Sequence, residues 1–158
     1  MSYSNSEPIR KAGVSDYDLI VWHDKLVTGI GKIDEQHQIL VNLLNEANIK
    51  LTPNNNTKFL EEITRNLLSY ALYHFETEEG LMQKYDYIED SDTHIRQHRS
   101  FSAKVVAVRN EIKTGIPISR EDLLSFLNSW LINHILNTDK QFAAFLLASE
   151  KYHSNNQV

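Results

Sequence analysis

Residues 94–112 read HIRQHRSFSAKVVAVRNEI. Within them His94, His98, Phe101, Val105, Val108 and Ile112 recur at alternating steps of four and three, the spacing that lines up side chains on one face of an α-helix. The stretch therefore predicts an amphipathic helix that follows DYIEDSD and ends near Thr114 and Gly115, where a glycine can take the left-handed conformation that closes a helix. Its first two turns carry imidazoles at positions where leucine or valine would serve a core.

The same reading extends in both directions. Upstream, Thr57 is suited to cap a long helix whose inward stripe is Leu60, Ile63, Leu67, Tyr70, His74, Glu78, Leu81 and Tyr85, again with polar residues in an apolar series. Before it, a helix beginning near Asp34, placed to cap it, carries Ile33, His37, Leu40, Leu44 and Leu51 and stops before TPNNN. Downstream, Ser119 precedes a helix with Asp122 in its first turn and Leu123, Leu127, Trp130, Leu131, His134, Phe142 and Phe145 along it. Short connections favour antiparallel neighbours, so the expected fold is all-α, an antiparallel up-down-up-down four-helix bundle. An N-terminal arm at 1–18 and a polar C-terminal tail at 151–158 would flank the bundle at 19–150.

Composition narrows the function. The chain has 158 residues and a formal charge of -5, enough for one core and without the basic footprint that nucleic acid requires. With no cysteine, disulfides and thiolate ligands are excluded, and any metal must be held by imidazole and carboxylate. No window approaches the ~20 apolar residues of a membrane span or the h-region of a signal peptide, so no membrane partner and a cytoplasmic location are expected. Glycine-rich phosphate loops and nucleophile elbows are absent from the sequence.

The inward polar residues form the remaining signal. Residues four apart on a helix share a face, so His74 with Glu78, and His94 with His98, can each grip one centre. His37 and His134 also replace apolar residues on their stripes. Burying such groups without partners would cost several kcal/mol each, roughly, whereas apolar side chains would stabilise the core. A metal resolves the conflict as their common partner, and this set exceeds the four ligands of one tetrahedral zinc. Asp139 stands five residues after His134, about 140° round a regular helix, so it joins the centre only from the flank or through a local i+5 widening.

The ordered set His37 in IDEQH, His74 and Glu78 in HFETEE, His94 and His98 in HIRQHRSF, and His134 and Asp139 in HILNTD resembles the hemerythrins, especially the bacterial single-domain form. The segment VWHDKLVTGIGKIDEQH is similar to the lead-in of that family, and the resemblance spans about residues 19 to 150. It implies a non-haem centre of two Fe ions (Fe2+/Fe3+) with a bridging oxo or hydroxo group. His94, His98 and His134 would hold one iron and His37 and His74 the other, with Glu78 and Asp139 bridging. The iron with fewer nitrogens would keep an open position for dioxygen. Two ferrous ions, two carboxylates and a hydroxide nearly cancel in charge, which suits a dry interior. Phe75 and Trp130, with Leu40 and Ile132, would line the oxygen pocket.

The implied function is reversible dioxygen binding for storage, delivery or buffering, and not an enzyme. A nitrogen-rich ligand set supports it, since di-iron oxidases of the ferritin type use Glu-x-x-His motifs and more carboxylates. The alternatives are an oxygen or redox sensor acting through a separate protein partner, and a di-iron peroxidase or nitric oxide scavenger. Affinity order alone leaves zinc or manganese open as well. His23 and His153 fall outside the set and are expected at the surface. Glu79 points about 100° from Glu78 on a helix, either into solvent or behind a ligand. DYIEDSD lacks the spaced ligands and glycine of a calcium loop.

Overall fold

A computed structural model describes residues 19–52 and 57–156, so the expected arm at 1–18 lies outside the described residues. A 3-10 turn at Asp24–Leu26 leads into α1 (Gly31–Lys50), α2 (Thr57–Lys84), α3 (Ser91–Lys113) and α4 (Arg120–Asn133). A π-helical turn at His134–Asp139 joins α4 to α5 (Lys140–Ala148) with helical backbone throughout, making one fourth rod. A short α6 (Glu150–Asn155) turns the polar C-terminal stretch back onto the bundle, with Tyr152 edge-on to Tyr85. The fold is an all-helical four-helix bundle, as the stripes predict.

Polar contacts fix the antiparallel order. Gln36, early in α1, bonds Thr77, late in α2. Glu79, late in α2, meets His98, early in α3. Arg120 at the start of α4 donates to the Leu51 carbonyl that closes α1. Each pair joins the beginning of one helix to the end of its neighbour.

Helix ends explain where the rods stop. Asp86 (φ 58) and Gly115 (φ 81) both sit in the left-handed region just past α2 and α3. After α2, Tyr87 N–H reaches Met82 O and Asp86 N–H reaches Gln83 O; after α3, Ile116 reaches Glu111 O and Gly115 reaches Ile112 O. Both are the paired six-to-one and five-to-two bonds of a Schellman ending. Ser119 caps α4 by accepting from Asp122 N–H.

Asp34 departs from expectation. The helix begins three residues earlier, at Gly31, and Asp34 instead accepts bonds from Thr28 N–H, Thr28 Oγ1 and Gly29 N–H. Its carboxylate ties down the loop before α1, because Asp34 lies one turn inside a helix whose following N–H groups are already paired within the helix. Thr57 is the first helical residue of α2, and the expected loop residues 53–56 lie outside the described residues. The buried stripe of α2 is also rotated, running through Thr64, Leu67, Leu68, Ala71, His74, Phe75, Glu78 and Met82. Leu60, Ile63, Tyr70 and Leu81 are only half-buried at its edge. All six positions of the α3 stripe are buried.

The core divides along the bundle axis. One apolar cluster contains Leu40, Leu44, Leu67, Ala71, Phe101 and Leu131 among others; a second contains Ile33, Met82, Phe142 and Leu146. At ~1.5–3 kcal/mol for each fully buried large side chain, these clusters supply the driving force for the fold. Between them runs one polar layer.

Candidate metal centre

All seven sequence-predicted polar residues meet in that layer, each at most 4% exposed: His37, His74, Glu78, His94, His98, His134 and Asp139. Their donor atoms converge. His37 Nε2 lies 2.8 Å from Asp139 Oδ2, and His134 Nε2 and His94 Nε2 each lie 3.0 Å from Asp139 Oδ1. Around Glu78 Oε1 stand His98 Nε2 at 3.1 Å, His74 Nε2 at 3.3 Å and His94 Nε2 at 3.5 Å. Although these distances are short, both oxygens of Glu78 and Asp139 and the Nε2 atoms of His37, His74 and His94 form no properly directed hydrogen bond. Buried polar atoms are otherwise almost always paired. Here they point at common points in space rather than at one another.

Those points number two. Glu78, His94, His98, His134 and Asp139 offer ligand atoms all within 4.8 Å of one another, and so do His37, His74, Glu78 and Asp139. Glu78 and Asp139 belong to both sets. The π turn makes this possible: it brings Asp139, five residues on, to the face that His134 occupies, which settles the flank-or-widening question in favour of widening.

A layer of acceptors stands behind the imidazoles. His98 Nδ1 donates to Glu79 Oε2 at 2.8 Å, since a carboxylate can only accept, and this leaves the Nε2 lone pair facing inward. His74 Nδ1 contacts Gln36 Oε1 at 2.7 Å, the amide being oriented by its bond to Thr77; His134 Nδ1 contacts Gln97 Oε1 at 2.8 Å, which Thr138 also bonds. Such partners fix the ring and raise its basicity as a ligand. Gln36 and Gln97 were not singled out in the sequence. Each directly precedes a predicted ligand, His37 or His98, yet serves the histidine of another helix, so only neighbouring-helix geometry reveals it.

The buried carboxylates and imidazoles shift one another strongly. Burial opposes charge on His94, but hydrogen bonds and charge from Asp139 and Glu78 outweigh it and push the imidazole up to about 9. Burial likewise works against His74, yet Glu78 raises it. His134 is pushed down, chiefly by burial. Burial and mutual repulsion oppose ionisation of Glu78 and Asp139, but the surrounding imidazoles hold both carboxyls below their ordinary range.

Of the predicted pocket residues, Phe75 stacks on His98 with centroids 3.9 Å apart and Trp130 stacks on His134 at 4.4 Å. Leu40, Phe75 and Trp130 line a cavity of about 10 Å³ with Leu44, Ala71 and Leu131. Ile132 is only half-buried and not among its lining residues; two positions from Trp130, it faces nearly the opposite side of the helix. His23 and His153 are exposed and apart from the centre, His23 capping the 3-10 turn through its ring.

A helical bundle with two overlapping histidine and carboxylate cages could hold metal at its centre. Residues 28–146 match the family model of the hemerythrin HHE cation binding domain, and the chain belongs to the hemerythrin family. It is 33% identical over 125 residues to bacteriohemerythrin of Stenotrophomonas maltophilia, covering 79% of this chain and 80% of that protein. Bacteriohemerythrin of Pseudomonas aeruginosa is 33% identical over 120 residues, 76% of each chain. A wild-type hemerythrin crystal structure superposes with a TM-score of 0.72 at 26% identity, over 80% of this chain and 97% of that one. Among the described residues no helix is long and apolar enough to cross a membrane.

Proposed function

We propose that the protein binds dioxygen reversibly at a non-haem di-iron centre. His94, His98 and His134 would hold one iron and His37 and His74 the other, with Glu78 and Asp139 shared between them. The observation that carries this reading is the pair of ligand sets sharing two carboxylates, because shared carboxylates are what two adjacent cations need and what one cation does not. The smaller set has one imidazole fewer, so a metal held there would have room for a further ligand. When bound, two iron ions and an oxo or hydroxo group would supply the electrons that dioxygen binding needs.

The protein's own residues supply selectivity. Leu40, Ala71, Phe101 and Leu131, which line the cavity, each stand three residues from a ligand on their helix. They form the layer next to the metals. The cavity has the room of about one water-sized guest, and apolar walls give water no hydrogen bond. Dioxygen, being apolar, forfeits nothing there. Phe75 and Trp130 cover the His98 and His134 rings and keep solvent off that side of the centre.

The test is the visible spectrum of anaerobically iron-loaded, reduced protein before air, after air, and after the oxygen is removed. A charge-transfer band that appears and then disappears is expected. A band that decays to a stable diferric form would rule out reversible binding.

A further inference from the structure

The three imidazoles that carry an outer hydrogen bond do not carry the same one. Gln36 and Gln97 present neutral amide oxygens to His74 and His134, whereas Glu79 presents a carboxylate to His98. Among the described residues, the Nδ1 atoms of His37 and His94 have no hydrogen-bond partner. Among the described residues one carboxylate therefore hydrogen-bonds the ligand shell from outside, at the three-histidine set.

We propose that Glu79 is a positioning residue that lowers the reduction potential of the metal held by His94, His98 and His134. A hydrogen bond from imidazole to a carboxylate is stronger than one to a neutral oxygen and draws the Nδ1 proton away from the ring. The Nε2 atom becomes a better electron donor and favours the more positive metal state. The two amide-backed rings receive less of this effect, so the two metals of the pair are made unequal.

The Glu79 carboxylate reaches solvent, although the ring it touches does not. Its side chain is 34% exposed, while that of His98 is 2% exposed. The carboxylate opens on a groove of about 560 Å³ between α2 and α3, lined by Phe75, Glu76, Glu79, Gly80, His98 and Arg99 among others. A buried anion in this place would carry a heavy desolvation cost; one at the wall of an open groove does not. Glu79 thus links the dry centre to the groove through a single hydrogen bond while its partly exposed side chain still meets solvent.

The inference rests on the di-iron reading but not on dioxygen as the ligand. Iron per chain is counted first, in wild type, Glu79→Gln, Glu79→Asp and Glu76→Gln. Failure of the wild type to hold two irons would sink the di-iron reading itself. The midpoint potential is then measured by spectroelectrochemical titration, together with the solvent-exchangeable imidazole N–H resonances shifted by the metals. Glu79→Gln keeps an acceptor oxygen and removes the charge, so the centre should load fully, its potential should rise and one N–H resonance should move. Glu76→Gln removes a charge from the same groove without touching His98, and should leave both readings unchanged. If Glu79→Gln does not load, Glu79→Asp, which keeps the charge but draws it back from Nδ1, should show the same rise. A potential equal to wild type in the loaded Glu79 variant, or an equal rise in Glu76→Gln, overturns the proposal.

Discussion

His134 and Asp139 are five residues apart, and their side chains meet at 3.0 Å because the helix widens into a π turn between them. On a regular helix the two would diverge by about 140°. The backbone accepts a less favourable turn so that Asp139 can face His37 and His94 as well as His134, one oxygen to each set. Asp139, like Glu78, therefore stands in both ligand sets, and under the di-iron reading its loss would reach both metals. Asp139→Ala should abolish stable loading of either, His74→Ala should reduce iron to about one per chain, and His98→Ala should leave a weakened three-histidine site with the other intact. Iron-to-protein ratios after desalting decide this, and two irons retained in all three variants would refute the ligand assignment.

Much of this was legible in the sequence because a buried histidine on an apolar stripe is a local contradiction. His94, His98, His74 and Glu78 each break a helical pattern that is otherwise clear, and the partner of each lies four residues away. Asp139 was harder, since its spacing fits no regular helix and only the backbone shows the π turn. Gln36 and Gln97 were illegible, because the ring each supports belongs to another helix. The rotation of the α2 stripe toward Ala71 and Phe75 also escaped pattern reading. Small and aromatic residues there face a cavity rather than a filled core, so side-chain size does not mark the inward face.

Ala71 tests the cavity. It is buried on α2 between Leu67 and His74 and lines the apolar void. Ala71→Leu should fill the void, with an overpacking cost of about 1–3 kcal/mol. Iron content should stay at the wild-type value, because no ligand is changed, while the rate of dioxygen uptake falls in stopped-flow mixing. Unchanged kinetics in a fully loaded variant would show that the cavity is not on the route.

The metal-free protein should depend on pH in a way that loading reverses. His94 is raised from 6.5 to about 9, so the stability it contributes is fully present below 6.5 and is lost as pH rises through about 9. His74, raised for the same reason, adds to that trend. Glu78 and Asp139 are lowered from 4.5 and 3.8, so their contribution holds above those values and fails on acidification. His134, lowered by burial, works against folding as pH falls below 6.5. Thermal unfolding of the metal-free form should thus show a Tm that declines from pH 6.5 toward 9. Metal takes the place of the proton on His94, so the loaded form should not decline over that range and loading at pH 8 should release protons. Parallel Tm curves for the two forms would contradict the assignment of His94 as a ligand.

Asp86 offers a prediction away from the centre. It occupies the left-handed position that ends α2, where Gly115 stands at the matching point after α3. A side chain in that conformation costs roughly 1–2 kcal/mol relative to glycine, and the extra freedom of glycine in the unfolded chain returns part of this. Asp86 also faces Lys151 at 3.7 Å, but both side chains are well exposed and such a pair contributes little. Asp86→Gly should therefore stabilise the protein by about 0.5–1 kcal/mol, with iron content and visible spectrum unchanged. Chemical denaturation of the metal-free form is the clean measurement, since bound metal would otherwise dominate the transition. A loss of stability would mean that the Lys151 contact, and with it the docking of α6 against the end of α2, matters more than the strain at residue 86.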